Sequence, residues 1–341
     1  MAESRTGKHH NGAHMEVSTE EAPVAAAPSA AGFWRRLAAF IVDVLVLGVV
    51  GWLVAWPLFD VFARMGAYGR IFGFVVALAY FGVMNSAVFG GQTLGKRLLG
   101  VRAVGRAGAL MTLPASLLRY SVLGVPFFLN GAPFDTKVLL SPVGYVLSLV
   151  VFGGILSIPY LYLFNRRGRR SLHDLAVGSS VVTAATPVAL VAPAPVWRGH
   201  LLVVGVILIA AAVLPAFTRR LAQAETFQGT MAAYEAVTAE PGVQNALVTH
   251  GTAFRSGQVN VDSVGAQVRL KERRLEDAAL AERFARVILN HDKQASRVSV
   301  IDITLVYGFD VGIASGWRSK SYQFLPETLT AGGGRPAGSS K

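Results

Sequence analysis

The stretch Gly32-Phe-Trp-Arg-Arg-Leu-Ala-Ala-Phe-Ile-Val-Asp43 leads into an apolar run that continues to about Phe59. A helix of roughly twenty apolar residues crosses a hydrocarbon core of about 30 Å, and few soluble core helices need that length. The run is therefore read as a membrane span. Arg35 and Arg36 stand where it begins, with side chains long enough to reach lipid headgroups. Asp43 lies about two turns further in. A charged side chain near the middle of a bilayer costs about 2.5 to 3.5 kcal/mol on insertion scales, so this carboxylate should face protein or trapped water and hold a partner.

The whole chain fits lipid as its main solvent. Of its 341 residues 52% are hydrophobic and only 15% charged, and the mean hydropathy is +0.46. The net charge of +12 reads as anchoring of loops at the cytoplasmic face and not as nucleic-acid binding. With no cysteine, disulfides, thiolate chemistry and cysteine-ligated metal sites are excluded. No cofactor or metal site is expected.

Residues 1–31 lack periodicity and carry Ala22-Pro-Val-Ala-Ala-Ala-Pro28, which predicts a disordered tail. His9, His10 and His14 sit there without a scaffold to fix a metal geometry. The tail and first run are not a signal peptide, because the apolar segment starts late and is too long. Four more apolar segments follow, at about Ile71 to Gly90, Leu113 to Leu129, Val143 to Phe164 and Leu201 to Phe217. The second of these, the third span overall, carries Arg119, Pro114 and Pro126. Five spans result: four in a transmembrane domain over 32–186, then a Pro-rich linker over 187–199 and a fifth helix over 200–218. Lys and Arg cluster at the loops that share a side with the amino terminus, which predicts a multi-pass protein of the cytoplasmic (inner) membrane with its amino terminus inside and its carboxyl-terminal part outside. Arg219 and Arg220 oppose the last step locally.

Two loops on the inner side carry the remaining specified sequence. Gly90 to Lys96 matches the pattern GxxxxGK, but Arg97 stands where a phosphate-binding loop needs Ser or Thr, and a span precedes it where a strand is required. The segment Thr93 to Leu99 reads instead as a short interfacial helix whose leucines face lipid while Lys96 and Arg97 meet anionic headgroups, with a strand and turn over Val101 to Gly108. In the second loop Arg166, Arg167, Arg169 and Arg170 are headgroup anchors by the same reasoning. His173-Asp174 beside them, without a nucleophile or metal partner, reads as a helix cap or ion pair. Three ordered motifs, Arg36-Leu-Ala-Ala-Phe-Ile-Val-Asp43, Gly91-Gln-Thr-Leu-Gly-Lys-Arg-Leu-Leu-Gly-Val-Arg-Ala-Val104 and Ser171-Leu-His-Asp174, resemble the RDD family over about residues 32–186. The resemblance makes Arg36, Asp43 and Asp174 the family's arginine and two aspartates. It implies a four-helix bundle and a transporter-like role with no substrate named.

Counting about 1.5 Å per residue from the inner ends of the helices places Asp43 and Arg119 on the order of 10 Å deep, with Asn85 and Ser157 at similar depth. These four residues are expected to form one intramembrane polar layer in which Asp43 and Arg119 pair or share a water-filled pocket. Asp174 should cap the segment after it or pair with Arg36.

Past the linker, residues 219–326 read as a small soluble α+β domain: a helix from Arg219 to Thr238, strands over Ala246 to Phe254 and Gln258 to Leu270, a helix from Leu275 to His291, a strand from Arg297 to Tyr307 and one or two short strands in Val311 to Phe324. His250, His291, Asp262, Asp302 and Asp310 are scattered and read as surface or turn residues. Residues 327–341 read as a disordered tail. The chain is not read as an enzyme. One function class is a carrier for a small solute or ion built on the polar layer. The other is a non-catalytic membrane anchor or assembly factor whose outer domain binds a protein partner. The oligomeric state is not legible.

Overall fold

The computed structural model describes residues 30–132, 134, 136–185, 195–253 and 261–330. Most of the amino-terminal tail with its three histidines, most of the Pro-rich linker and residues 331–341 lie outside the described residues.

The opening run forms α1, Phe33–Ala55, and its burial follows the helical period: Arg36, Ala39, Asp43, Leu47, Gly51 and Ala55 are covered along one stripe. Leu45, Val49, Trp52 and Leu53 on the remaining surface are exposed. An outer face as apolar as the inner one is what lipid permits and water does not. The helix stops at Ala55, short of Phe59, where Pro57 withholds a backbone N–H. A second long apolar helix, Phe59–Met84, is bent by a 3-10 turn at Gly66–Tyr68 into α2, Phe59–Met65, and α3, Gly69–Met84. This replaces the expected span over Ile71 to Gly90, because Ser86 takes the backbone N–H of Val88 and turns the chain away.

Next come α4, Leu94–Leu98, and the strand β1, Val101–Val104, in the places expected. Helix α5, Leu113–Leu129, follows, and then α6, Thr136–Leu139, and α7, Pro142–Ser148. A π-helical turn at Leu149–Gly153 joins α7 to α8, Gly154–Phe164. The loop beyond holds α9, Leu172–Val177, and β2, Ser180–Thr183. Strands β1 and β2 pair antiparallel, and Ala31 donates its N–H to the Val181 carbonyl at 2.9 Å, so the two loops that carry them and the lead-in of α1 form one cap. Helix α10, Arg198–Ala222, lies along α7 and α8, where Ser148 Oγ donates to the Ala211 carbonyl at 2.6 Å.

Among the described residues four helices, Phe33–Ala55, Phe59–Met84, Pro142–Phe164 and Arg198–Leu221, are long and apolar enough to cross a membrane. The third expected span, α5, has 17 residues and is shorter than these. It nonetheless reaches both ends of the bundle, with Arg119 at the capped end and the Phe128 carbonyl bonded by Arg70 at the other.

The last part of the chain is a four-stranded sheet with helices on one face. It runs α11, Glu225–Thr238; β3, Val243–Ala253; β4, Val261–Leu270; α12, Ala278–His291; β5, Val300–Asp310; β6, Ser315–Phe324; and α13, Pro326–Thr330. The sheet order is β3-β4-β5-β6, with β4 and β5 parallel and the other pairs antiparallel. Phe284 and Ile288 of α12 pack on Ile301, Ile303 and Leu305 of β5 and on Phe324 of β6. The strands and α12 are shifted by a few residues from the expected bounds, the one or two short strands expected in Val311 to Phe324 are the single strand β6, and two differences change where a residue belongs. The helix expected from Arg219 belongs instead to α10 as far as Ala222, and the chain breaks before α11. Leu329, expected in a disordered tail, is buried in α13 against this core.

The sheet module is also seated on the bundle. Between β5 and β6 the turn carries Val311, Gly312 and Ile313 into the end of the bundle, where Phe309 and Val311 are buried with Ala55 and Phe62. Gly73 of α3 makes this possible: a Cβ there would lie 1.7 Å from the Val311 carbonyl oxygen. Arg70 Nη2 donates to Asp310 Oδ2 at 2.6 Å, and Tyr307 Oη donates to Asp60 Oδ1 at 2.9 Å. Asp310, read from sequence as a turn residue, is therefore also half of a contact between the two parts.

Candidate functional site

Asp43 is 1% exposed and fully engaged. Tyr80 Oη of α3 donates to its Oδ1 at 2.7 Å, Thr93 Oγ1 to its Oδ2 at 2.5 Å, and the Gly95 backbone N–H to its Oδ1 at 2.8 Å. Thr93 is also the N-cap of α4. The helix thus starts against the carboxylate, and its free amide end favours a negative charge. Gly95 is required for this approach, because a Cβ there would lie 2.1 Å from the Ala39 carbonyl oxygen. No arginine is among the partners.

The second carboxylate collects the arginines. Asp174 Oδ2 accepts from Arg36 Nη2 at 3.0 Å, and its Oδ1 accepts from Arg119 Nε at 3.0 Å, from Arg119 Nη2 at 2.7 Å and from Ser179 Oγ at 3.0 Å. Its Oδ2 also closes a capping box with the Ser171 backbone N–H at 3.2 Å. Both roles foreseen for Asp174, cap and partner of Arg36, are present together. Arg36 donates in addition to the Arg169 carbonyl and lies 5.1 Å from the centre of the Tyr162 ring. Burial alone would raise the Asp174 pKa, but Arg119, His173 and Arg36 together hold it well below the usual carboxylate range. His173, buried beside it, is pushed down to about 3, chiefly by desolvation, and is neutral.

The expected Asp43–Arg119 ion pair is therefore absent. Asp43 is satisfied by a hydroxyl, a phenol and an amide that the loop and α3 bring to it, while Arg119 turns to Asp174. The second half of that expectation does hold in geometry, since Asp43 and Arg119 line one cavity of about 220 Å3 together with Asn85 and Lys96. Ser157 is not in its wall; the side chain is buried, and its Oγ has no hydrogen-bond partner among the described residues. The expected layer of four becomes a group of three.

The arginines and lysine expected at headgroups divide similarly. Arg97, Arg166 and Arg167 are exposed. Lys96 turns inward to the cavity and donates to Asn85 Oδ1, so the reading of it as a headgroup contact is corrected: α4 packs on α1, and its residue at this position faces the bundle. Desolvation, with the nearby Arg119 guanidinium, lowers the Lys96 pKa well below its ordinary value. Arg169 and Arg170 are half-buried, and Arg170 Nε donates to the Ser179 carbonyl at 3.1 Å. Tyr80, Thr93, Gly95, Ser179 and His173 complete the site without having been singled out as its members. Thr93 and Gly95 stood inside a quoted motif, and a hydroxyl and a glycine two residues apart at a helix start are the available signal.

Fold and site together define a multi-pass helical membrane protein whose capped end is held by two buried aspartates, Asp43 on Tyr80, Thr93 and Gly95, and Asp174 on Arg36 and Arg119. Residues 30–178 match the model of the RDD family. It is similar to the uncharacterized protein YckC of Bacillus subtilis (strain 168), with 27% identity over 157 residues, 46% of this chain and 86% of that protein. No solved structure matches the chain. The sheet module lies outside the family segment.

Proposed function

We propose that the protein is a carrier for a small solute or ion, which enters the cavity between α1, α3, α5 and α8 from the capped end. One observation carries this reading: Lys96 and Arg119 line a cavity among apolar helices instead of being wholly consumed in packing. Ionisable groups that face a cavity within a membrane domain mark pathways more often than groups that only tie helices together. The capped end is assigned to the cytoplasm, supported by exposed Arg35, Arg97, Arg166 and Arg167 at that end, where they would meet anionic headgroups. With α5 counted as a crossing, the chain spans an inner membrane five times and presents the sheet module outside.

Purified protein in liposomes, assayed with a panel of Na+, K+, acetate and succinate, should move at least one of them. Lys96→Met and Arg119→Gln should each reduce that flux at least tenfold. Absence of flux across the panel, or flux indifferent to both changes, would contradict the carrier reading. The alternative, a non-catalytic anchor or assembly factor, is favoured by the open sheet face on which Leu247 and Trp317 are exposed. In that reading Trp317→Asp abolishes function in cells while Lys96→Met does not.

A further inference from the structure

The cavity has a polar base and apolar walls. Phe40 of α1, Phe81 of α3, Leu123 of α5, and Ile158 and Pro159 of α8 form the walls. Phe40 and Pro159, one on each side, are also exposed on the surface that lipid would cover, so the cavity opens sideways between α1 and α8. At the base three cations, Arg36, Lys96 and Arg119, face two carboxylates, Asp43 and Asp174. Asp43 already accepts three hydrogen bonds, so the groups left over are donors: Lys96 Nζ, bonded only to Asn85, and Arg119 Nη1, which makes no hydrogen bond among the described residues. His173, more than nine-tenths buried, lines the same cavity with its Nδ1 unpartnered. A buried nitrogen without a partner is costly unless something else supplies one.

We infer that this cavity binds a single-chain anionic amphiphile, its head on Lys96, Arg119 and His173 and its chain along Phe40, Leu123 and Pro159. The acceptors of Asp43 are already used while Lys96 and Arg119 keep N–H donors toward the cavity, so the base selects an acceptor-bearing anionic head over a cation. A volume of about 220 Å3 is below the roughly 300–1,000 Å3 of clefts that enclose a whole drug-sized ligand. The site therefore takes the head and upper chain, and the rest of the chain lies in the side opening among lipid tails. The inference rests on the carrier reading for its importance but not for its geometry.

The test uses full-length protein in nanodiscs with a diazirine-bearing hexadecanoate, mapped by mass spectrometry, beside a matching hexadecylamine probe. Labelling by the carboxylate should concentrate on peptides of α1, α5 and α8 and exceed labelling at Val206 and Ile209 of α10, which are exposed to lipid as well. It should fall at least fivefold in Lys96→Met, recover in Lys96→Arg and be absent with the amine. Because Lys96→Met could disturb folding, Leu123→Trp provides a second arm: filling the wall should block labelling while leaving every charge in place. Equal labelling of α10, or labelling unchanged by both Lys96→Met and Leu123→Trp, would overturn the site. Selective labelling without flux of the small-solute panel would leave the site standing and remove the small-solute carrier. Lys96-dependent flux of acetate or succinate without selective labelling would do the reverse.

Discussion

At the capped end of the bundle Asp174 gathers Arg36, Arg119, Ser171 and Ser179, whereas at the sheet end the β5–β6 turn fills the space with Phe309, Val311 and Ile313. The first closure is made of buried charge and the second of apolar contact bordered by a half-buried ion pair. They should fail differently. A buried carboxylate shared by two guanidinium groups has no partial state, because removing it strands two cations at once. A seated hairpin loses stability contact by contact, and the sheet beneath it keeps a core of its own.

The largest effect is therefore expected at Asp174. Asp174→Asn should cost about 3–5 kcal/mol through the two uncompensated arginines, seen as loss of folded protein on thermal unfolding in detergent. Gly73→Val attacks the other end, where any side chain meets the Val311 carbonyl. It should cost about 1–3 kcal/mol by overpacking and speed proteolysis of the β5–β6 turn while the capped end melts as before. If Gly73→Val instead released the capped end, the two closures would not be separable. Arg70→Gln should matter less, about 1 kcal/mol, because the Arg70–Asp310 pair is partly open to solvent.

The smallest effect near neutral pH is that of titration, and it sharpens the same contrast. The folded His173 pKa, at about 3, lies below the unfolded value near 6.5. The unfolded chain therefore binds the extra proton between these values, and stability is lost as pH falls below about 6.5. Asp174, whose folded pKa is lowered below 3.8, contributes stability that is fully present above about pH 4 and is lost only as pH falls through its folded value. His173→Gln should thus flatten the pH dependence of melting between about pH 6 and 4. An unchanged slope would mean that His173 is not buried in its neutral form.

The charged residues of the capped end were legible in sequence because a carboxylate or guanidinium within an apolar run has to be compensated, and that argument finds Arg36, Asp43 and Arg119 without any structure. The partners were not legible. Depth counted along a helix treats each span as a separate rod, so it pairs Asp43 with Arg119 at similar levels. It does not see that the loop after α3 folds back and brings the Thr93 hydroxyl and the Gly95 amide to Asp43, or that α9 raises Asp174 to Arg119. Lys96 was misplaced for the same reason, since a short helix carrying leucines and cations reads as interfacial until its packing on α1 is known. In the sheet module the alternation of β5 and the period of α12 were plain. The seat of the hairpin was not, because it depends on Gly73 and Val311, 238 positions apart in sequence, and on no pattern local to either.

The central claim is that the two buried aspartates serve separate networks, Asp43 with Tyr80, Thr93 and Gly95, and Asp174 with the two arginines. Paired double-mutant cycles in detergent test it most directly: Asp43→Asn with Arg119→Gln, and Asp174→Asn with Arg119→Gln. Sites without a shared partner add within about 0.3–0.5 kcal/mol, whereas members of one network couple by about 0.5–3 kcal/mol. The first cycle should be additive and the second strongly coupled. Strong coupling in the first cycle with additivity in the second would return Arg119 to Asp43 and contradict this account of the site.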